Sequence, residues 1–372
     1  MILSRRLTVS LALAATVAPL AGWAQDAPIV IGYQLPLTGN TAQYGQDFKS
    51  AAEIALEKFN ASGALPVPVE IIYEDSRSDA KEGVTIARKF VDNDDIVAVL
   101  GDFTSTVSMA AAQVYKKAGV VQLSQTASHP DFAKISEWQF RNITTQDQEG
   151  AVNAEWMHEK GIEKVAVIAE QTDWGQSVVK GFTTPFKDMG GEVVFEEFFN
   201  RGLADFRSII TKIDETNPDA VYTGFFYEDG AQFLKQMEQL GVDIPVYSTS
   251  AAYNDKLIEL SGEAADGLFL TATFLPTRED AGVQEFVEEW KSLHDGAAPG
   301  QFPAQAYDAV NIMLEAVVRA YPDVTRESMR EAVAATTDFP GVTGNTSFDE
   351  NGEPLKELTK ATVENGEFVE VK

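Results

Sequence analysis

Continuous apolar runs alternate with stretches in which apolar residues recur every three or four positions along most of this chain. The first kind reads as buried strand and the second as one face of a helix. Residues 29–34 predict a strand, and Phe48, Ala51, Ala52, Ala55, Leu56 and Phe59 predict a helix that Asn60 and Gly63 stop. Residues 67–74 predict a second strand, with Val84, Ala87 and Val91 marking a second helix. A third strand over 96–100 leads through Gly101 into a helix that starts near Ser105, with Val107, Ala110, Val114 and Ala118 on one face. A fourth strand follows over 120–123. Four strands alternating with three helices predict a parallel sheet of βα units.

The pattern restarts around 140–144. Strands are predicted at 165–169, 193–195, 220–224, 244–247 and 268–271. Helices lie between them, one carrying Val178 and Phe182 and expected to bend or shorten at Pro185. This is a second α/β lobe in the same style, without a sequence repeat. Helical segments near 283–293, 306–321 and 326–335 come next, and 348–352 read as a turn between short strands.

Candidate chemistry sits just past the strands. In an open α/β sheet, ligands bind beyond the carboxyl ends of the strands. The third strand ends in Phe103, Thr104 and Ser105, where a helix N-terminus offers free N–H groups and partial positive charge to a small anion such as a carboxylate. The competing reading is a hydroxyl that only caps the helix. The fourth strand ends similarly, in Thr126, Ala127 and Ser128.

Composition narrows the classes. The chain has 372 residues, 44% of them hydrophobic, enough for two cores. Arg5 and Arg6, an apolar stretch over 7–20 and Gly22-Trp23-Ala24 form a secretory signal peptide over 1–24. There is no cysteine, so neither a disulfide nor a lipid-anchored N-terminus of the bacterial kind is expected, and the mature protein should diffuse freely in a periplasm. The formal charge of −28 becomes about −30 once Arg5 and Arg6 leave with the leader. Nucleic acid and anionic membrane are poor partners for such a surface. His129, His158 and His294 lack metal-ligand spacing, and there is no nucleophile elbow or phosphate-binding loop. The sequence therefore points away from an enzyme and from a metal or cofactor.

Several stretches, in order, carry a resemblance: Gly39 with 42–45, 99–101 with Ser105, 126–130, Trp174-Gly175, Asp205-Phe206 and 262–268. They resemble the periplasmic binding proteins of the leucine/isoleucine/valine type, the soluble receptors of amino-acid ABC importers. The resemblance implies two Rossmann-like lobes with parallel sheets, joined by three crossover segments and closing on a ligand in the cleft. It places one lobe at 25–142 plus 275–350 and the other at 143–274 plus 351–372. It implies a monomer, with an inner-membrane permease as partner. Ser105 is similar to the family serine that binds the ligand carboxylate, and Ser128 to the residue that helps bind carboxylate and amine. Phe103, Thr104, Thr126 and Ala127 flank them. Tyr44, Trp174, Phe226, Phe302 and Tyr227 match or adjoin aromatic walls. One position departs: the acid that receives the ligand amine should fall at Ser250. Either Glu228 or Asp229 takes its place, or the ligand is no plain α-amino acid. The alternatives are an amide, urea, an aromatic or other small carboxylate, or a quaternary amine. A ligand-presenting sensor partner is the alternative to import.

Overall fold

The computed structural model describes residues 27–354 and 356–371, so the expected leader lies outside the described residues. The first lobe is built from β1 (Ile29–Leu35), α1 (Ala42–Ser62), β2 (Val69–Asp75), α2 (Ala80–Val91), β3 (Ile96–Leu100), α3 (Ser105–Ala118), β4 (Val121–Ser124) and β5 (Gln139–Arg141). These strands form one parallel sheet in the order β2-β1-β3-β4-β5. The fifth strand was not expected. It is three residues long, with a single phenylalanine between a glutamine and an arginine, so it has no apolar run to reveal it.

The second lobe follows as α4 (Gln146–Glu159), β6 (Lys164–Glu170), α5 (Asp173–Asp188), β7 (Glu192–Phe199), α6 (Arg207–Glu215), β8 (Ala220–Gly224), α7 (Tyr227–Leu240), β9 (Val246–Ser248), α8 (Asp255–Ser261) and β10 (Phe269–Ala272). The chain then returns to the first lobe through α9 (Ala281–Leu293), α10 (Gln301–Ala320) and α11 (Arg326–Ala334). There α10 packs on α1, and α11 on β3 and β4. A small hairpin, β11 (Phe339–Gly341) and β12 (Gly344–Thr346), precedes β13 (Thr359–Glu364) and β14 (Glu367–Glu370). These last two strands join the second sheet, whose order is β14-β13-β10-β9-β8-β6-β7. Its inner strands are parallel, and β13 and β14 add an antiparallel edge.

Two expectations need correction. Helix α5 runs through Pro185 to Asp188, so the proline does not stop it, although it removes one bond of the helical ladder and the helix ends three residues later. Strand β7 extends to Phe199, beyond the predicted end at residue 195. Glu196 and Glu197 interrupt its apolar character, which is why the pattern hides its second half.

The crossing after β5 is fastened by Arg141, whose side chain is fully buried. Its Nε lies 2.8 Å from Glu353 Oε2, and its Nη2 donates to Glu353 Oε1 at 3.0 Å. Its Nη1 donates to the carbonyls of Ala127 and His129 at 2.7 and 2.8 Å, on either side of Ser128. The apolar cores are ordinary in kind: burying a side chain such as Phe48 stabilises by about 1.5–3 kcal/mol.

Candidate functional site

Each sheet has one place where its strand order reverses. In the first it lies between β1 and β3, and in the second between β6 and β8. Ligands of open α/β sheets bind at such switch points. Here both open onto a single cavity of about 280 Å³, near the lower end of small-ligand pockets.

On the first lobe, β3 is followed by Gly101 with φ near +98°, where a Cβ would meet the Gln34 carbonyl at 1.9 Å. Glycine alone fits that turn. Asp102 is buried behind it and accepts from the Phe103 N–H at 2.6 Å and from Gln34 Nε2 at 3.2 Å. Burial pushes its carboxyl up to about 6. Thr104 caps α3 by accepting from the Val107 N–H at 3.4 Å. Capping therefore falls to Thr104, leaving Ser105 at the helix start for other work. Ser105 Oγ accepts from the His129 N–H at 3.2 Å. Ser128 Oγ accepts from Trp174 Nε1 and Gln146 Nε2, both at 3.1 Å. A serine hydroxyl has one hydrogen and two lone pairs. With one lone pair of Ser105 and both of Ser128 taken by donors, and no acceptor for either hydrogen among the described residues, both serines can offer an O–H to whatever enters the cavity.

The second lobe contributes residues that follow β6, β7, β8 and β9 in turn: Glu170 with Trp174, Arg201, Phe226 and Ser250. Glu170 is buried and bound to Arg201, with Nη2 donating to Oε2 at 2.8 Å and Nε 2.8 Å from Oε1. The guanidinium Cζ stands 4.6 Å from the centre of the Phe226 ring. The Ser250 N–H donates to Glu149 Oε1 at 2.5 Å, and its carbonyl accepts from Gln301 Nε2 at 2.6 Å. Glu149 also accepts from Thr271 Oγ1 and Gln146 Nε2, at 2.7 and 2.8 Å, so its oxygens are occupied behind the wall.

Of the residues expected at the site, Phe103, Thr104, Ser105, Thr126, Ser128, Trp174, Phe226, Ser250 and Phe302 line the cavity. Ala127 does not; its N–H donates to Ser124 Oγ at 3.0 Å and its carbonyl accepts from Arg141. Tyr44 stands one layer back, stacked on Phe103 at 4.6 Å, with its hydroxyl donating to Glu228 at 3.2 Å across the lobes. Tyr227 packs on Tyr44. Asp229 accepts from the Gly202 N–H at 3.0 Å, and burial pushes its carboxyl up to about 6. Neither Glu228 nor Asp229 lines the cavity, so neither stands where Ser250 replaces the expected acid. Sequence reasoning missed Gln146, Glu170 and Arg201. Glu170 directly follows the apolar run of β6, a strand-end position that marks it in hindsight.

A family model described as periplasmic binding protein matches residues 28–367. The chain belongs to that family. The Leu/Ile/Val-binding protein homolog 1 of Brucella abortus (strain 2308) is 29% identical over 348 residues, covering 92% of this chain and 91% of its own. A crystal structure from Rhodospirillum rubrum, assigned to a branched-chain amino acid ABC transporter, is 48% identical with a TM-score of 0.73. It covers 93% of this chain and 100% of that one. A leucine-binding protein from Thermotoga maritima is 27% identical with a TM-score of 0.86, over 92% of this chain and 98% of that one. Among the described residues, no helix of this periplasmic binding protein is long and apolar enough to cross a membrane.

Proposed function

We propose that this protein is the exported receptor subunit of an ABC importer for amino acids or related small carboxylates, closing its two lobes on the ligand. The observation that carries the reading is the pair of serine hydroxyls, Ser105 at the start of α3 and Ser128 after β4, which already accept hydrogen bonds and have no acceptor for their own hydrogens among the described residues. Donors at a helix N-terminus suit a carboxylate and offer little to a cation. Contacts already bridge the lobes around that site, from Trp174 to Ser128 and from Tyr44 to Glu228. The amino-acid transport names of its relatives agree with this class of solute. The mature protein is a monomer that begins near Gln25 and delivers its load to a permease.

Thermal shift against a panel of amino acids, small carboxylic acids and their methyl esters tests the reading. A ligand at one hundred times its dissociation constant stabilises by about 2.7 kcal/mol. At least one free acid should raise the melting temperature, and its ester should not. Equal stabilisation by ester and acid, or by no acid at all, contradicts it. Mass spectrometry of the periplasmic fraction checks the export claim, with an intact residue 1 as the contrary result.

A further inference from the structure

Glu170 and Arg201 are the ionisable side chains among the residues lining the cavity. Each carboxylate oxygen of Glu170 has a guanidinium nitrogen at 2.8 Å, so the acid is fully engaged and the pair adds no net charge. Arg201 is less engaged. Arginine has five N–H donors in a rigid fork. Its Nη2 donates to Glu170 and its Nε is buried within ion-pair distance of the same carboxylate without a hydrogen bond, while Nη1 has no hydrogen-bond partner among the described residues and the side chain keeps a quarter of its surface exposed. A chain of contacts separates it from the serines: Ser128 to Trp174 at 3.1 Å, Trp174 to Phe226 at 4.9 Å between ring centres, and Phe226 to the guanidinium at 4.6 Å. The cavity thus has hydroxyl donors at one end, aromatic rings between, and a fixed guanidinium donor at the other.

We propose that Arg201, held by Glu170, recognises a neutral hydrogen-bond acceptor at the far end of the ligand. The preferred solute is then a small acid carrying a carbonyl or hydroxyl across an apolar spacer, not a free α-amino acid. This rests on the serines binding the carboxylate. An ammonium finds no free carboxylate in this lining, since Ser250 replaces the acid and Glu170 is already paired. Leaving such a charge buried and unpaired is costly. A second carboxylate meets Glu170 beside the guanidinium, and like charges in one small site repel. A carbonyl or hydroxyl meets neither penalty and satisfies Nη1. The competing role for the pair is purely structural, tying the end of β6 to the loop after β7.

Calorimetric titrations with pentanoate, hexanoate, 4-oxopentanoate and 5-oxohexanoate separate these roles, because each oxo acid differs from its parent by one carbonyl. For at least one length the oxo acid should bind about tenfold more tightly than its parent, the effect of one hydrogen bond to a charged donor. In the double variant Glu170→Gln/Arg201→Met, which leaves no charge unpaired, that ratio should fall to about one. Equal affinities of oxo acids and parents in the unaltered protein overturn the proposal, as does a ratio that survives in the double variant. Those outcomes leave the carboxylate reading standing. Failure of all four acids to bind overturns this proposal, while the carboxylate reading is judged by the comparison of acids with their esters.

Discussion

The two switch points that face each other across the cleft solve the same topological problem with different chemistry. The one between β1 and β3 is neutral: hydroxyls and the start of α3, pinned by Asp102 and Arg141 from behind. The one between β6 and β8 is charged within itself: Glu170 and Arg201 cancel each other, and Nη1 of the guanidinium has no hydrogen-bond partner among the described residues. In the first, specificity comes from hydrogen atoms whose alternatives have been removed. In the second, it comes from a charge already satisfied, which favours a dipole over an ion. The resemblance expects an acid for the ligand amine at position 250, and Ser250 has its backbone committed to Glu149 and Gln301.

The comparison breaks most readily at Arg141, which supports the first side. Arg141→Met strands Glu353 and the two carbonyls that flank Ser128, and should cost about 3–5 kcal/mol of stability, the usual result of removing one partner of a buried pair. Urea unfolding measures this, and a loss under 1 kcal/mol means the loop is held by other contacts. Ser105→Ala comes next. It should weaken binding of the best acid by about 1.5–3 kcal/mol and change stability by no more than about 1 kcal/mol. Unchanged affinity by calorimetry makes Ser105 a bystander.

The smallest signal is a slope and belongs to the second side. Burial pushes Asp229 up to about 6, with nearby Glu170 and Glu228 adding to the rise and the Gly202 N–H and Arg201 opposing it. The folded state therefore holds this proton more tightly than the unfolded chain. The stability it contributes is fully present below about pH 4 and is lost as pH rises through about 6. Asp229→Asn, compared with the unaltered protein by urea unfolding between pH 4 and 7, should decline less steeply. Parallel curves show that the carboxylate ionises as readily in the folded protein as in the unfolded chain.

The first side was legible in the sequence and much of the second was not. The apolar run of β3 ends in hydroxyl residues, so position alone marks Ser105, and β4 marks Ser128 in the same way. Arg201 follows a strand whose glutamates disguise its end, so its place beside Glu170 appears only once the sheet is assembled. Ala127, expected beside the ligand, does not line the cavity, and its N–H and carbonyl serve Ser124 and Arg141. Tyr44, expected as an aromatic wall of the ligand site, does not line the cavity; it is stacked on Phe103, which does.

The central claim is that the cavity binds a carboxylate and disfavours an α-ammonium. Leucine and 4-methylpentanoate share the carboxylate and the branched side chain and differ only in the amine. Calorimetric titration of the unaltered protein with both therefore weighs the amine alone. The account expects 4-methylpentanoate to bind more tightly than leucine, and Ser250→Glu to reverse that order. Tighter binding of leucine by the unaltered protein contradicts it.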